Sequence, residues 1–443
     1  MDVAVVLFTR DLRVRDNPAL ARACARASAV LPLFVVDPAL TVPQNRARFL
    51  AGSVAALRQE LRELGGDLVI RRGDPVAQAI GLATRAGAHA IVVAGDVTRY
   101  ATRRRQRLER ECARHRIALE VTPGSHAVVA PGDLRPAGGD HYRVFTPYWR
   151  AWRAAAWRRP CPAPSAISLP RGVEPGDPPA VVTGCSAALA PGGEPAGLDL
   201  VRSWLDGPLA GYDEQHDSLA ADATSRLSAY LRFGCVSPLE LAAAALARPG
   251  GEEYSRQLAW RDFFHQVTAA FPDMGCADYR PGASGPREWT VDSGALDAWR
   301  TGHTGIPIVD AGMRQLAAEG FMHNRARMIT ASFLTRTLGI DWRHGYRHFA
   351  ELLADGDVAN NAGNWQWVAG TGNNTRPGRV LNPLLQAARF DRDGEYVRRY
   401  VPELAGLSAP HIHTPWQLPA ARRRQLRYPN PITELPGLRA GTT

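Results

Sequence analysis

The first 125 residues carry five short β-rich runs: VAVVLF, AVLPLFVVD, DLVIRRG, AIVVAGD and ALEVTPG. Helical patterns separate them, as in RARFLAGSVAALRQELRELG at 46–65. Runs apolar at nearly every position suit strands buried on both faces, and connections of helix length make neighbouring strands parallel. The spacing therefore predicts a Rossmann-like α/β domain over 1–130, with helices on both faces of a parallel sheet. No G-x-G-x-x-G follows the first run, so that fold's dinucleotide fingerprint is missing there.

Residues 131–198 differ. Segment 160–198 is rich in Pro, Gly and Ala and cannot hold long regular elements, so it reads as an interdomain linker. Before it, YRVFTPYWRAWRAAAW is aromatic and basic, and is expected to pack between domains. Helical patterns with short loops dominate 199–443 and predict an all-α domain, ending in a Pro- and Arg-rich tail.

Charge and residue usage narrow the chemistry. The formal charge of +10 favours a polyanionic partner. All 53 Lys+Arg residues are arginine, which excludes a Walker-type phosphate lysine and a Schiff-base lysine but suits bidentate phosphate binding. The six cysteines are scattered, without Cys-x-x-Cys, against a disulfide framework or a thiolate zinc site. The opening MDVAVVLFTRDLR reads as a strand, not a signal peptide, and no run has membrane-span length, so a cytoplasmic protein with no membrane contact is expected.

Eight of the eleven tryptophans follow residue 200. In QLAWRDFFHQ, helical spacing puts Gln257, Trp260 and Arg261 on one face, with Phe264 on a neighbouring position; this suits a flat hydrogen-bonding ligand or, equally, a helix–helix seam. In FMHNRARM, Asn324, Arg327 and Met328 share a face that is either a site floor or an exposed basic surface. LADGDVANN supplies Asp355 and Asp357, and Arg327 with Asp355 is the expected partly buried ion pair. In DATSRLSAYL, Thr224, Ser225 and Ser228 at a helix start offer a phosphate site or a simple N-cap. His344 and His348 lack a third ligand, so no metal site is expected. The stretch DVANNAGNWQWVAGTGNN combines helix-weakening Asn and Gly with Trp365 and Trp367, a surface that lets a backbone approach something flat.

GHTGIPIVDAGMRQLAAEGFMHNRARMITASFLTRTLGIDWRHGYRHFAELLADGDVANNAGNWQWVAGTG resembles the flavin-binding core of the DNA photolyase/cryptochrome family. ATSRLSAYLRFGCVSP, QLAWRDFF, YRVFTPYWRAW and LFTRDLRVRDNPAL resemble the same family, in order, over nearly the whole chain. Within it, the class I cyclobutane pyrimidine dimer photolyases are most similar. The resemblance implies an all-α FAD-binding domain and light-driven repair, in which reduced FAD passes an electron to a flipped-out dimer in ultraviolet-damaged DNA. It implies that Tyr212, Thr224, Ser225, Arg226, Leu227 and Ser228 hold the FAD phosphates and adjoining groups. Gln257, Arg261, Phe264, Asn324, Arg327, Asp355, Asp357 and Asn361 would complete the FAD site, with Asn361 facing flavin N5. Trp365, Trp342 and Trp289 would relay electrons. Gln257, Trp260, Asn324, Met328 and Trp367 would receive the dimer, and Arg379 and Gln386 would contact DNA. A monomer is expected. An antenna pigment held by Arg46, Asp96 and Arg104 would be of the 8-hydroxy-5-deazaflavin type rather than methenyltetrahydrofolate.

The chain departs from the pattern in places. Gln257 stands where most dimer photolyases have Glu, Phe321 replaces a Trp, His216 an Arg, and TGNNTRPGRV departs from the usual TG…PYFR. Two alternatives follow: a cryptochrome-like blue-light sensor without repair, and a (6-4) photoproduct photolyase. That last branch usually has two histidines where Asn324 and Met328 stand, and His323 is one position off.

Overall fold

The computed structural model describes residues 2–180, 182–280, 288–376 and 378–435. Pro377 of TGNNTRPGRV and the end of the expected helical domain, 436–443, lie outside them. The chain forms two compact units. The first comprises Met1–Cys185, Ala190–Ala210 and Ser225–Asp273; the second comprises Ser186–Leu189, Gly211–Thr224 and Met274–Thr443.

The first unit is built on β1 (Val3–Phe8), β2 (Ala29–Val36), β3 (Val69–Arg72), β4 (Ala90–Ala94) and β5 (Ala118–Thr122). They form a parallel sheet of order β3-β2-β1-β4-β5, with Val5 opposite Leu31 and Ile91. Every β1 residue is buried, so both sheet faces are covered, as the unbroken apolar runs predict. Between the strands run α1 (Pro18–Arg26), α2 (Gln44–Glu63), α3 (Pro75–Arg85) and α4 (Arg99–His115). Val5, Leu7, Leu33 and Ile91 form one core with Ala79 and Leu82 of α3 and Leu108 of α4.

Later segments seal this unit. Arg13, in the loop after β1, is buried; its Nη1 donates to Gly234 O (2.9 Å), while Nη2 donates to Ser125 O (2.9 Å) and Asp16 O (2.7 Å). Leu12 N donates to Phe233 O at 3.1 Å. After α5 (Phe145–Ala154) no helix or strand occurs among the described residues before α6 (Glu194–Leu205), in keeping with the Pro/Gly composition. This stretch is nonetheless pinned: Ile167 N donates to Leu64 O (2.7 Å) and Val30 N to Ser168 O (2.9 Å). The second unit supplies α7 (Tyr212–Gln215), and the first resumes with α8 (Ser228–Phe233), α9 (Pro238–Leu246) and α10 (Gly251–Ala270).

Two carboxyls meet inside the first unit. Glu194 accepts from Val14 N (2.6 Å) and Arg15 N (3.3 Å) and is hydrogen-bonded to Glu60 of α2. Burial, then the neighbouring Glu194, pushes Glu60 up to about 8; burial pushes Glu194 up to about 7. A carboxyl raised on folding binds its proton more tightly in the native state, so its contribution is full below the unfolded value and is lost as pH rises through the folded one. Thermal melts should therefore show the melting temperature falling between pH 4.5 and 8, with Glu60→Gln flattening the slope. An unchanged slope in that variant would exclude the pair as its source.

The second unit contains α11 (Ser293–Thr301), α12 (Pro307–Glu319), α13 (Asn324–Ser332), α14 (Trp342–Leu352), α15 (Val358–Ala369), α16 (Pro383–Phe390) and α17 (Glu395–Tyr400). Its core gathers Trp299, Ile308, Leu316, Phe333, Trp342, Phe349 and Trp365. The tail docks on it: Tyr428 Oη donates to Asp310, and Ile432 N to Thr304 O at 3.0 Å.

Candidate functional site

In the helical unit, α13, α14 and α15 place most of the singled-out side chains. Trp365 is 2% exposed and meets Phe349 edge-on at 4.9 Å between centroids and Trp299 at 6.0 Å. Its six-membered ring lies on the backbone of α14 at Gly345, where a Cβ would fall 2.1 Å from Cη2. Trp342 opens α14 three residues earlier, hence on the same helical face. It is fully buried, and its Nε1 donates to Asp278 Oδ1 at 2.9 Å. Trp289 is half-buried; its neighbour Thr290 bridges to Ile340, and Thr290 N donates to Gly339 O (2.8 Å), bringing that segment to the chain just ahead of α14. The three indoles are thus set on adjoining segments of one unit, with the outermost reaching solvent.

Polar groups stand on the same helices. The expected ion pair forms: Arg327 Nη2 donates to Asp355 Oδ2 at 2.8 Å and Nη1 to Oδ1 at 3.2 Å. Asp357 caps α15 by accepting from Asn360 N (2.9 Å). Asn361 Nδ2 donates to Tyr346 O at 3.1 Å. Asn324 is exposed at the start of α13, and Met328, one turn on, is half-buried. His323 is the α13 cap, its Nδ1 accepting from Arg325 N (3.1 Å); burial depresses it to about 4. Trp367 is half-buried, Arg379 is exposed, and Gln386 on α16 is half-buried. Tyr212 is buried at the start of α7. Thr224 Oγ1 is buried with no hydrogen-bond partner among the described residues.

In the first unit, Gln257, Trp260, Arg261 and Phe264 lie on α10. Trp260 stacks on Phe145 with centroids 3.7 Å apart and planes 8° from parallel, and Phe264 is buried. Arg261 donates to His126 O and to Leu231 O (3.0 Å). One expectation is corrected here: no helix begins at Thr224 or Ser225. The helix α8 starts at Ser228, after Asp222 (φ 48°) and Arg226 (φ 52°), both left-handed, interrupt any earlier helix. Ser225 Oγ instead accepts from Tyr254 Oη at 3.0 Å, while Leu227 is buried. Of the residues named for an antenna, Arg46 is on α2 and Arg104 on α4. Asp96 follows β4 and is committed locally, accepting from Arg10 Nη1 (3.2 Å) and Val97 N (2.7 Å). A small cavity at the carboxyl ends of β4 and β5 is lined by Gly95, Asp96, Arg104, Leu108 and Val121.

Comparison with known proteins decides what these helices belong to. A family model described as the FAD binding domain of DNA photolyase matches residues 254–441, and one described as DNA photolyase matches 4–165. The chain is 50% identical to a deoxyribodipyrimidine photo-lyase of Streptomyces griseus, over 99% of this chain and 98% of the relative. The chain belongs to the DNA photolyase family. A cryptochrome DASH of Natronomonas pharaonis is 38% identical over 98% of each chain. The structure of a bacterial class III photolyase from Agrobacterium tumefaciens superimposes with a TM-score of 0.92 at 32% identity, over 98% of this chain and 95% of that one.

For a photolyase the cofactor is FAD, and the residues fit it. The unpartnered Thr224 hydroxyl suits a phosphate or ribose hydroxyl, and the ion-paired Arg327 keeps donors in a fixed plane for an acceptor edge. The sequence reading missed Asp278, Gly345 and Trp299. Gly345 carried a readable signal, a small residue one turn after a tryptophan; Asp278 reaches Trp342 across 64 residues and left none.

Proposed function

We propose that this protein repairs cyclobutane pyrimidine dimers in DNA by light-driven electron transfer, a carbon–carbon lyase reaction. The observation that carries this reading is half-identity, end to end, with a deoxyribodipyrimidine photo-lyase. When bound and reduced, FAD supplies one electron to the dimer under blue or near-ultraviolet light. Tyr212, Thr224, Ser225, Arg226, Leu227 and Ser228 hold its phosphate side. Arg261, Phe264, Asn324, Arg327, Asp355, Asp357 and Asn361 hold its ring side. Trp365, Trp342 and Trp289 connect that site to solvent. Their order supports this role, because a buried pair with a half-buried outer member suits relay toward the surface. Gln257, Trp260, Asn324, Met328 and Trp367 receive the dimer, which leaves the duplex because its ring bonds are inaccessible inside the stack.

Arg379 and Gln386 hold the DNA backbone. Arg379→Ala should weaken damaged and undamaged duplexes alike and lower the salt slope of binding by about 1. A loss confined to damaged DNA, in a binding titration against salt, would count against a phosphate role. We assign Arg46, Asp96 and Arg104 to an antenna of the deazaflavin type, place the protein in the cytoplasm and take it as a monomer.

The test is direct. The reduced holoprotein is given a short duplex with one thymine dimer, illuminated, and dimer loss is followed by chromatography against a dark control. Light-dependent return of two thymines is expected. Its absence with reduced flavin bound would favour a cryptochrome-like blue-light sensor without repair. Repair of (6-4) photoproducts is disfavoured by His323, whose ring is held as a helix cap and stays neutral near pH 7.

A further inference from the structure

We infer that Glu253 is a positioning residue for the lesion, setting both groups of α10 that meet the damaged bases. The inference rests on the reading that Gln257 and Trp260 face the dimer. Glu253 sits one helical turn before Gln257, and its Oε1 accepts from Gln257 Nε2 at 3.3 Å. An ionised carboxylate only accepts, so this bond fixes which end of the amide is nitrogen. Gln257 is then left with Oε1 and one N–H in set directions. A pyrimidine ring of the dimer carries N3–H beside C4=O, a donor next to an acceptor. A pinned amide answers both, whereas an ionised glutamate at 257 would answer only the donor.

The second arm runs the other way. Glu253 Oε2 pairs with Arg256 Nη1 at 3.5 Å. The Arg256 guanidinium carbon lies 5.8 Å from the Phe145 ring centre, and Phe145 stacks on Trp260 at 3.7 Å. One carboxylate thus anchors the amide and, through a cation–π contact, the ring behind the indole wall. Its side chain is 27% exposed, so its replacement leaves the core intact.

The experiment uses the FAD-loaded protein and measures dissociation constants for a thymine-dimer duplex and the same duplex undamaged. Glu253→Ala should weaken dimer binding about fivefold, the worth of one hydrogen bond, with undamaged binding, flavin content and melting temperature unchanged. Glu253→Gln, whose amide can donate as well as accept and so no longer fixes the Gln257 orientation, should restore only part of it. In a Gln257→Ala background the Glu253→Ala loss should shrink. An unchanged preference for the dimer in Glu253→Ala, or an equal loss in the Gln257→Ala background, overturns the inference. If Gln257→Ala itself leaves the preference unchanged, the underlying placement of Gln257 falls, and the inference with it.

Discussion

Gly345→Ala is expected to destabilise the helical unit by about 3 kcal/mol, the upper part of the range for overpacking a filled core. The added methyl carbon would sit 2.1 Å from Cη2, 2.5 Å from Cζ3 and 2.6 Å from Cζ2 of Trp365. The indole has no room to retreat, because Phe349 and Trp299 close its other sides at 4.9 and 6.0 Å. Either α14 moves from α15 or Trp365 turns, and both separate it from Trp342. The variant should melt roughly 6–12 °C lower. It should also lose light-driven electron supply from an external reductant, while repair by chemically reduced protein survives. A normal melting temperature would show that the helices separate without cost; normal photoreduction would remove Trp365 from the relay.

The second large effect concerns the ion pair on α13. Asp355→Ala leaves the Arg327 guanidinium, whose side chain is 25% exposed, with Met322 O, at 2.8 Å, as its remaining protein acceptor among the described residues. Breaking a buried pair costs about 3–5 kcal/mol, and partial exposure places this one near 2–3 kcal/mol. Flavin absorbance per protein should drop as well, because an unpaired guanidinium loses its fixed orientation. The double variant Arg327→Met with Asp355→Leu removes both charges, and should recover most stability in a denaturant titration without recovering flavin. Recovery of both would mean the pair only holds the fold.

The strands β1, β2 and β4 were legible because each reads apolar at nearly every position, as a sheet covered on both faces requires, while β3 and β5 at the edges, VIRR and ALEVT, were legible from their place in the alternation with helices. The pair Arg327–Asp355 was legible because Arg327 stood on a polar helical face and Asp355 in a short Gly turn, where a buried charge needs an opposite partner. The start of α8 was not. Thr224, Ser225 and Ser228 look like a capping sequence, yet the left-handed backbone at Arg226 delays the helix, and no local pattern announces that angle. Asp278 beneath Trp342 was unreadable for another reason: its partner is chosen by tertiary packing. Glu253 and Gln257, four apart on one helix, were open to sequence reasoning; what they do for Phe145, more than a hundred residues earlier, was not.

The bonds of Arg13 also set a timetable for synthesis. All five strands have left the ribosome once Thr122 emerges, but Gly234, which accepts from the Arg13 guanidinium, is still 234 − 122 = 112 residues away. At about 5–20 residues per second that is a wait of roughly 6–22 s. Through that interval the nascent sheet carries a cation without its final acceptor and a loop that cannot close. The loop after β1 can therefore complete its hydrogen bonds only after residues 233 and 234 have been made, long after the sheet it serves.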